Sequence, residues 1–149
     1  MQSQISMSKL ILAHEFATLR RVSKVAAPSD PVAAWRELNA AHAAVHAALE
    51  YELKKEHDLT TIEFEVLEQL GGCSEGKVRM SELAGIVHAT QSTVSRVVAR
   101  LEDEGLVCRA MCADDRRGIF ASLSPEGRAR VEAAAPTYRR VIAASLPVG

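Results

Sequence analysis

Aromatic residues are scarce in this chain: three Phe, two Tyr and one Trp make up 4% of its 149 positions. Whatever core it forms must therefore be packed from aliphatic side chains. Cysteine is equally sparse. Cys73, Cys108 and Cys112 match neither a disulfide framework nor a paired zinc-ligand pattern. If Cys108 and Cys112 share a strand they stand about 13 Å apart, beyond the ~7 Å over which two Cα atoms are bridged. Long apolar runs are missing too. Leu10-Ile11-Leu12-Ala13 is too short to span a bilayer, is followed by His14-Glu15, and leads to no small-residue cleavage site, so a cytoplasmic protein without membrane contact is expected. No Gly-rich phosphate loop, nucleophile elbow or metal-hydrolase spacing occurs, which argues against an enzyme and against a bound cofactor or catalytic metal. Nor is there bulk charge of one sign, the net being −1.

What is present suits one globular domain, with 48% hydrophobic and 25% charged residues. The charge is unevenly spread. Residues 77–130 hold nine Lys/Arg against seven Asp/Glu, while the remainder holds nine against twelve. Binding to nucleic acid needs a basic face and not a basic protein.

Within that stretch helix geometry predicts two short helices joined by a tight turn. Leu83, Ala84, Ile86 and Val87 give the first an apolar side, and His88-Ala89-Thr90 forms the turn, with Thr90 placed to cap the second through its hydroxyl. In the second helix Val94, Val97, Val98 and Leu101 fall on one side at about 100° per residue. Ser92, Ser95, Arg96 and Ala99 fall on the other, with Gln91 and Thr93 beside them near the N-terminus. Hydroxyls, an amide, a guanidinium and a small residue at the front of such a helix suit base edges and phosphates. Arg100 is added as a further candidate contact one turn on. Gly105 is placed to end the helix in the left-handed conformation.

Two strand candidates follow, Leu106-Val107-Cys108-Arg109 and Ile119-Phe120-Ala121-Ser122-Leu123, with the polar tip Ala113-Asp114-Asp115-Arg116-Arg117-Gly118 between them. Standing alone, Arg116 and Arg117 would read as a solvated turn. Directly after a helix pair of this kind they point to nucleic-acid contact. Ser124 then caps a new helix whose first residue is Pro125.

The run of motifs Leu59-Thr60…Phe64-Glu65-Val66-Leu67, Ser81-Glu82-Leu83-Ala84, Gln91-Ser92-Thr93-Val94-Ser95-Arg96, Leu101-Glu102…Gly105-Leu106-Val107 and Asp115-Arg116-Arg117…Leu123-Ser124-Pro125-Glu126-Gly127-Arg128 resembles the MarR family of bacterial transcriptional regulators. The resemblance covers residues 59–130, about half the chain. It implies a mainly α, α+β fold: a winged helix-turn-helix with a two-stranded β-wing and flanking dimerisation helices. It further implies a homodimer whose recognition helices enter successive major grooves of a palindromic operator while the wings reach the flanking minor grooves. In that pattern the residue matching Arg117 enters the minor groove and the one matching Asp115 holds it in place. The function implied is ligand-responsive regulation of transcription, more often repression.

The flanks carry the remaining expectations. Residues 31–58 form the first dimerisation helix, with Asp30 capping before Pro31 and the pattern Trp35, Leu38, His42, Val45, Leu49, Leu53 at helical spacing. Residues 59–124 form the winged domain, beginning with a Thr60/Glu63 capping box and a helix that ends at Gly71-Gly72. Residues 125–149 form C-terminal dimerisation helices, in which Pro136 is expected to break or kink the chain. Residues 1–30 form an extension in which Leu12, Phe16, Leu19, Val22 and Ala26 predict a further helix that supports the dimer. Relatives in the family often bind aromatic acids or phenols, and for such a small organic anion Arg36, His42 and His46 are the candidate ligand-binding residues, a guanidinium offering a fixed fork to a carboxylate. His42 and His46, four apart, leave metal sensing as an alternative, the cysteines leave redox sensing, and a protein-interaction scaffold without DNA binding is the competing class.

Overall fold

The computed structural model describes residues 30–112 and 115–146, with side chains of 112–117 excluded. The expected helix at residues 1–29 lies outside the described residues. The chain falls into two units, Met1–Ala41 and His42–Gly149. Helix α1 (Pro31–His57) begins in the first and continues in the second. Its start is fixed as the sequence predicts: Asp30 Oδ1 accepts from the Val32 N–H at 2.9 Å, leaving Pro31 at a position that needs no donor. In the first unit Val32, Trp35 and Leu38 are exposed, Trp35 by 61%.

In the second unit α1 is followed by α2 (Thr61–Gly72), β1 (Val78–Arg79), α3 (Met80–Ile86), α4 (Gln91–Asp103), β2 (Val107–Cys112), β3 (Asp115–Leu123) and α5 (Pro125–Ser145). The core is aliphatic apart from Phe64, with Leu53, Leu67, Leu83, Val98 and Leu101 fully buried. Except for α3, which has no side-chain cap, the helix starts have local causes. Thr60 accepts from the Glu63 N–H at 3.3 Å while the Glu63 carboxylate accepts from the Thr60 N–H at 2.8 Å, closing the expected capping box. Thr90 caps α4 through the Thr93 N–H at 3.2 Å.

Helix ends are equally local. In the turn after α3, His88 takes φ +52°, and the His88 and Ala89 N–H groups return to the Gly85 and Ala84 carbonyls. Gly105, at φ +74°, does the same after α4, its N–H reaching Glu102 O at 2.9 Å while Leu106 reaches back to Leu101 O at 2.8 Å.

The two-stranded wing is present as expected, and its hairpin is anchored on a third strand: the sheet order is β1-β3-β2, because Val78 and Arg79 pair antiparallel with Ala121 and Phe120. Two expectations need correction. The hairpin's own strands are longer than expected and run to Cys112 and from Asp115, leaving a shorter tip. Pro136 does not break the last helix, which continues from Pro125 to Ser145. Pro136 and Glu132, the residue whose carbonyl loses its partner, are both exposed, so water can take the orphaned group. Ala134, Thr137 and Val141 are meanwhile held in the core. Tyr138 stacks on Phe64 with ring centroids 4.5 Å apart. Burial, helped by neighbouring Glu65, pushes the Tyr138 phenol up to about 12. At the end of α1, Glu56 accepts from Thr137 Oγ1 at 2.6 Å and from Arg140 at 2.9 Å, which lowers its carboxyl below its ordinary value and ties α1 to α5.

Candidate nucleic-acid interface

The helix pair α3 and α4 presents one face of α4 outward because the other is consumed by the core. Val94, Val98 and Leu101 are wholly buried, and Val97 is half-buried beside them. Gln91, Ser92, Ser95 and Arg96 are exposed on the opposite side, and Thr93 is half-buried. The N-terminal hydroxyls are partly committed: Thr90 Oγ1 lies 2.8 Å from Thr93 Oγ1 and 3.1 Å from Ser92 Oγ. Arg96 lies back along its own helix, Nε donating to the Ser92 carbonyl at 3.3 Å, which holds the guanidinium over the front of the face.

Arg100, about half exposed, is paired with two carboxylates. Its Nη1 lies 3.0 Å from Glu63 Oε1 and its Nε 3.0 Å from Glu104 Oε1, and Glu104, then Glu63, raise its pKa further. Glu63 is only 3% exposed, so one carboxylate both closes the α2 cap and holds α4. Arg100 is thereby tied to the scaffold that orients the reading face. Sequence reasoning missed this because the partner lies on another helix.

A second carboxylate sets the wing. Strand β2 is an edge strand whose Arg109 N–H points away from β3 and donates to Glu102 Oε1 at 3.2 Å, while Arg109 Nε donates to Glu102 Oε2 at 2.7 Å. Arg109 lowers the Glu102 carboxyl below its ordinary value. The wing root is thus joined to the last turn of α4. Asp115, Arg116 and Arg117 stand at the start of β3, with Asp115 opposite Cys112, and their side chains lie outside the described residues. Farther down the hairpin Met111 and Ile119 are cross-strand partners, exposed by 73% and 52%.

The structure adds Lys77 and Arg79, which the sequence reading passed over. Their charged ends each lie 5.2 Å from the centre of the Phe120 ring. Two cations alternating as Lys77-Val78-Arg79 share one face of an extended segment, which was the available signal.

The ligand candidates are placed separately. Arg36 is exposed on α1 in the first unit. In the second, His42 and His46 are both exposed, with rings 6.1 Å apart. Among the described residues no group of three or more His, Cys, Asp and Glu side chains is arranged to hold a metal ion, and no helix is long and apolar enough to cross a membrane.

This geometry recurs in known proteins. The MarR family model matches residues 59–119. An uncharacterised HTH-type transcriptional regulator of Bacillus cereus is 38% identical over 88 residues, a match that spans 59% of this chain and 56% of that relative's length. Sco3205, a MarR family regulator from Streptomyces coelicolor solved in complex with DNA, superposes with a TM-score of 0.74 at 27% identity over 83% of this chain and 78% of its own. AbsC, another MarR family regulator of that organism, superposes with a TM-score of 0.72 at 30% identity and covers 83% of this chain and 82% of its own length. With the motif order, the three-stranded sheet and the fold all agreeing, the chain belongs to the MarR family of transcriptional regulators.

Proposed function

We propose that this protein is a dimeric, ligand-responsive DNA-binding regulator, a repressor, that reads a palindromic operator with α4 in the major groove and the wing in the minor groove. The observation that carries the reading is the outward face of α4. Gln91, Ser92, Ser95 and Arg96 form a polar strip on a helix whose opposite side packs into the core and whose orientation is held by Glu63 and Glu102. A scaffold that bound only protein would have no use for that strip beside a wing that carries Arg116 and Arg117. That Sco3205, of the same fold, was solved in complex with DNA supports DNA binding here. For the second copy, the exposed Val32, Trp35 and Leu38 of α1 offer the apolar surface, and residues 31–58 and 125–149 serve as the dimerisation segments. A small organic anion such as an aromatic acid or phenol is the proposed effector, with the Arg36 guanidinium as its anchor. Such a ligand releases DNA only if it favours the non-binding geometry, since equal affinity for both would shift nothing.

Arg96→Ala is expected to cost about 1–3 kcal/mol in specific binding if the guanidinium reads a base. Melting should be unchanged, because Arg96 is exposed. Titrating operator and scrambled duplexes into both proteins decides the matter: an unaltered operator affinity removes Arg96 from the reading set. Calorimetry with a panel of aromatic acids on the parent and on Arg36→Ala tests the anchor. An acid that binds and releases DNA equally in both proteins assigns it elsewhere.

A further inference from the structure

When a helix occupies a major groove and a wing the adjoining minor groove, one sugar–phosphate strand separates the two. That strand has to cross the protein surface between helix and wing. On this chain the surface is a groove lined by Gln91 and Ser95 of α4, Gly118 and Ile119 of β3, and Arg79 and Ser81 at the junction of β1 with α3.

Among the described residues that line the groove Arg79 is the cation, and it is held in place. Its guanidinium carbon lies 5.2 Å from the Phe120 ring centre, the stacking range of a planar cation on an aromatic face. Gly118 makes the room: a Cβ there would stand 3.1 Å from Arg79 Nη1 and 3.1 Å from the Phe120 ring. Arg79 also faces Glu82, whose carboxylate is 4.0 Å from Nε and whose side chain is 66% exposed. Ser81 and Ser95 set hydroxyls on the same groove.

Resting on the DNA-binding reading above, we propose that Arg79 is a phosphate anchor for the DNA strand that runs between α4 and the wing. It would fix the register of helix and wing on the duplex and read no base. Ile119, half-exposed on the same groove, would lie against the deoxyribose.

The test compares the parent with Arg79→Gln and Gly118→Ala on an operator duplex and on a scrambled one across a salt series. Thermal melting and phosphate-ethylation interference are run on the same proteins. Arg79→Gln should weaken binding to both duplexes by about five- to tenfold and reduce the slope of log affinity against log salt by about one, leaving the ratio between duplexes unchanged. The interference signal at the phosphate between the two grooves should disappear. Gly118→Ala keeps the charge but displaces the guanidinium, so affinity should fall while the slope stays near the parent's. Unchanged affinity and slope in Arg79→Gln, or a change confined to the operator, would overturn the proposal. Should Arg79→Gln fail to fold, Arg79→Met, which keeps the stem over Phe120 and removes the charge, decides the question by the same readouts. A parent that binds no duplex would overturn both this proposal and the reading beneath it, whereas a parent that binds beside an unaffected Arg79→Gln overturns this proposal alone.

Discussion

Gly127→Ala is expected to destabilise the protein by about 3 kcal/mol and to abolish DNA binding with it. A Cβ at this position would stand 2.0 Å from the Leu106 carbonyl oxygen and 2.8 Å from Leu123 Cδ2. The first of these is backbone and cannot swing aside. Three elements meet at this point. Ser124 donates its N–H to Leu106 O at 3.1 Å and its hydroxyl to Gly105 O at 2.7 Å, and it accepts the Gly127 N–H at 3.0 Å. The end of α4, the base of the wing and the first turn of α5 are therefore closed by one serine against one glycine. Pushing α5 away would open the junction that fixes the wing relative to the reading face. Gly85→Ala is the control, because nothing lies within 4 Å of a Cβ there, and it should be neutral or slightly stabilising. Urea unfolding of the three proteins measures the difference; a Gly127→Ala midpoint equal to the parent's would show that the junction yields.

Phe64→Ala should cost about 3–5 kcal/mol, the range for emptying a buried aromatic site. Phe64 is fully buried and stacks on Tyr138, so its loss removes contacts of α2 and α5 together. Phe64→Leu, which retains most of the volume, should lose less than half as much. Equal losses for the two variants would mean that the ring's shape, and not the cavity, sets the cost.

Most of the site was legible in the sequence because its determinants are local. Asp30, Thr60, Thr90 and Ser124 each cap the helix that follows within three residues, and Gly105 ends α4 by its own backbone freedom. The reading face of α4 follows from the spacing of Val94, Val98 and Leu101 alone. What escaped was set by partners distant in the chain. Two residues, Val78 and Arg79, are too few to show strand periodicity and become a strand only because β3 has a free edge. The pairing of Arg100 with Glu63 escaped because Glu63 lies on another helix. Pro136 looked like a helix break, yet it falls on the exposed side of a helix held by Ala134, Thr137 and Val141.

The central claim is that α4 and the wing together read DNA as parts of a symmetric dimer. Selection of bound duplexes from a random pool, followed by titration of the enriched sequence at low and moderate salt with the mass of the complex determined, tests it most directly. The account predicts a palindrome whose half-sites are centred about one helical turn apart, two protein chains per duplex, and affinity that falls steeply as salt rises. A pool that enriches no sequence, with binding no stronger than to random duplex at either salt, would contradict it.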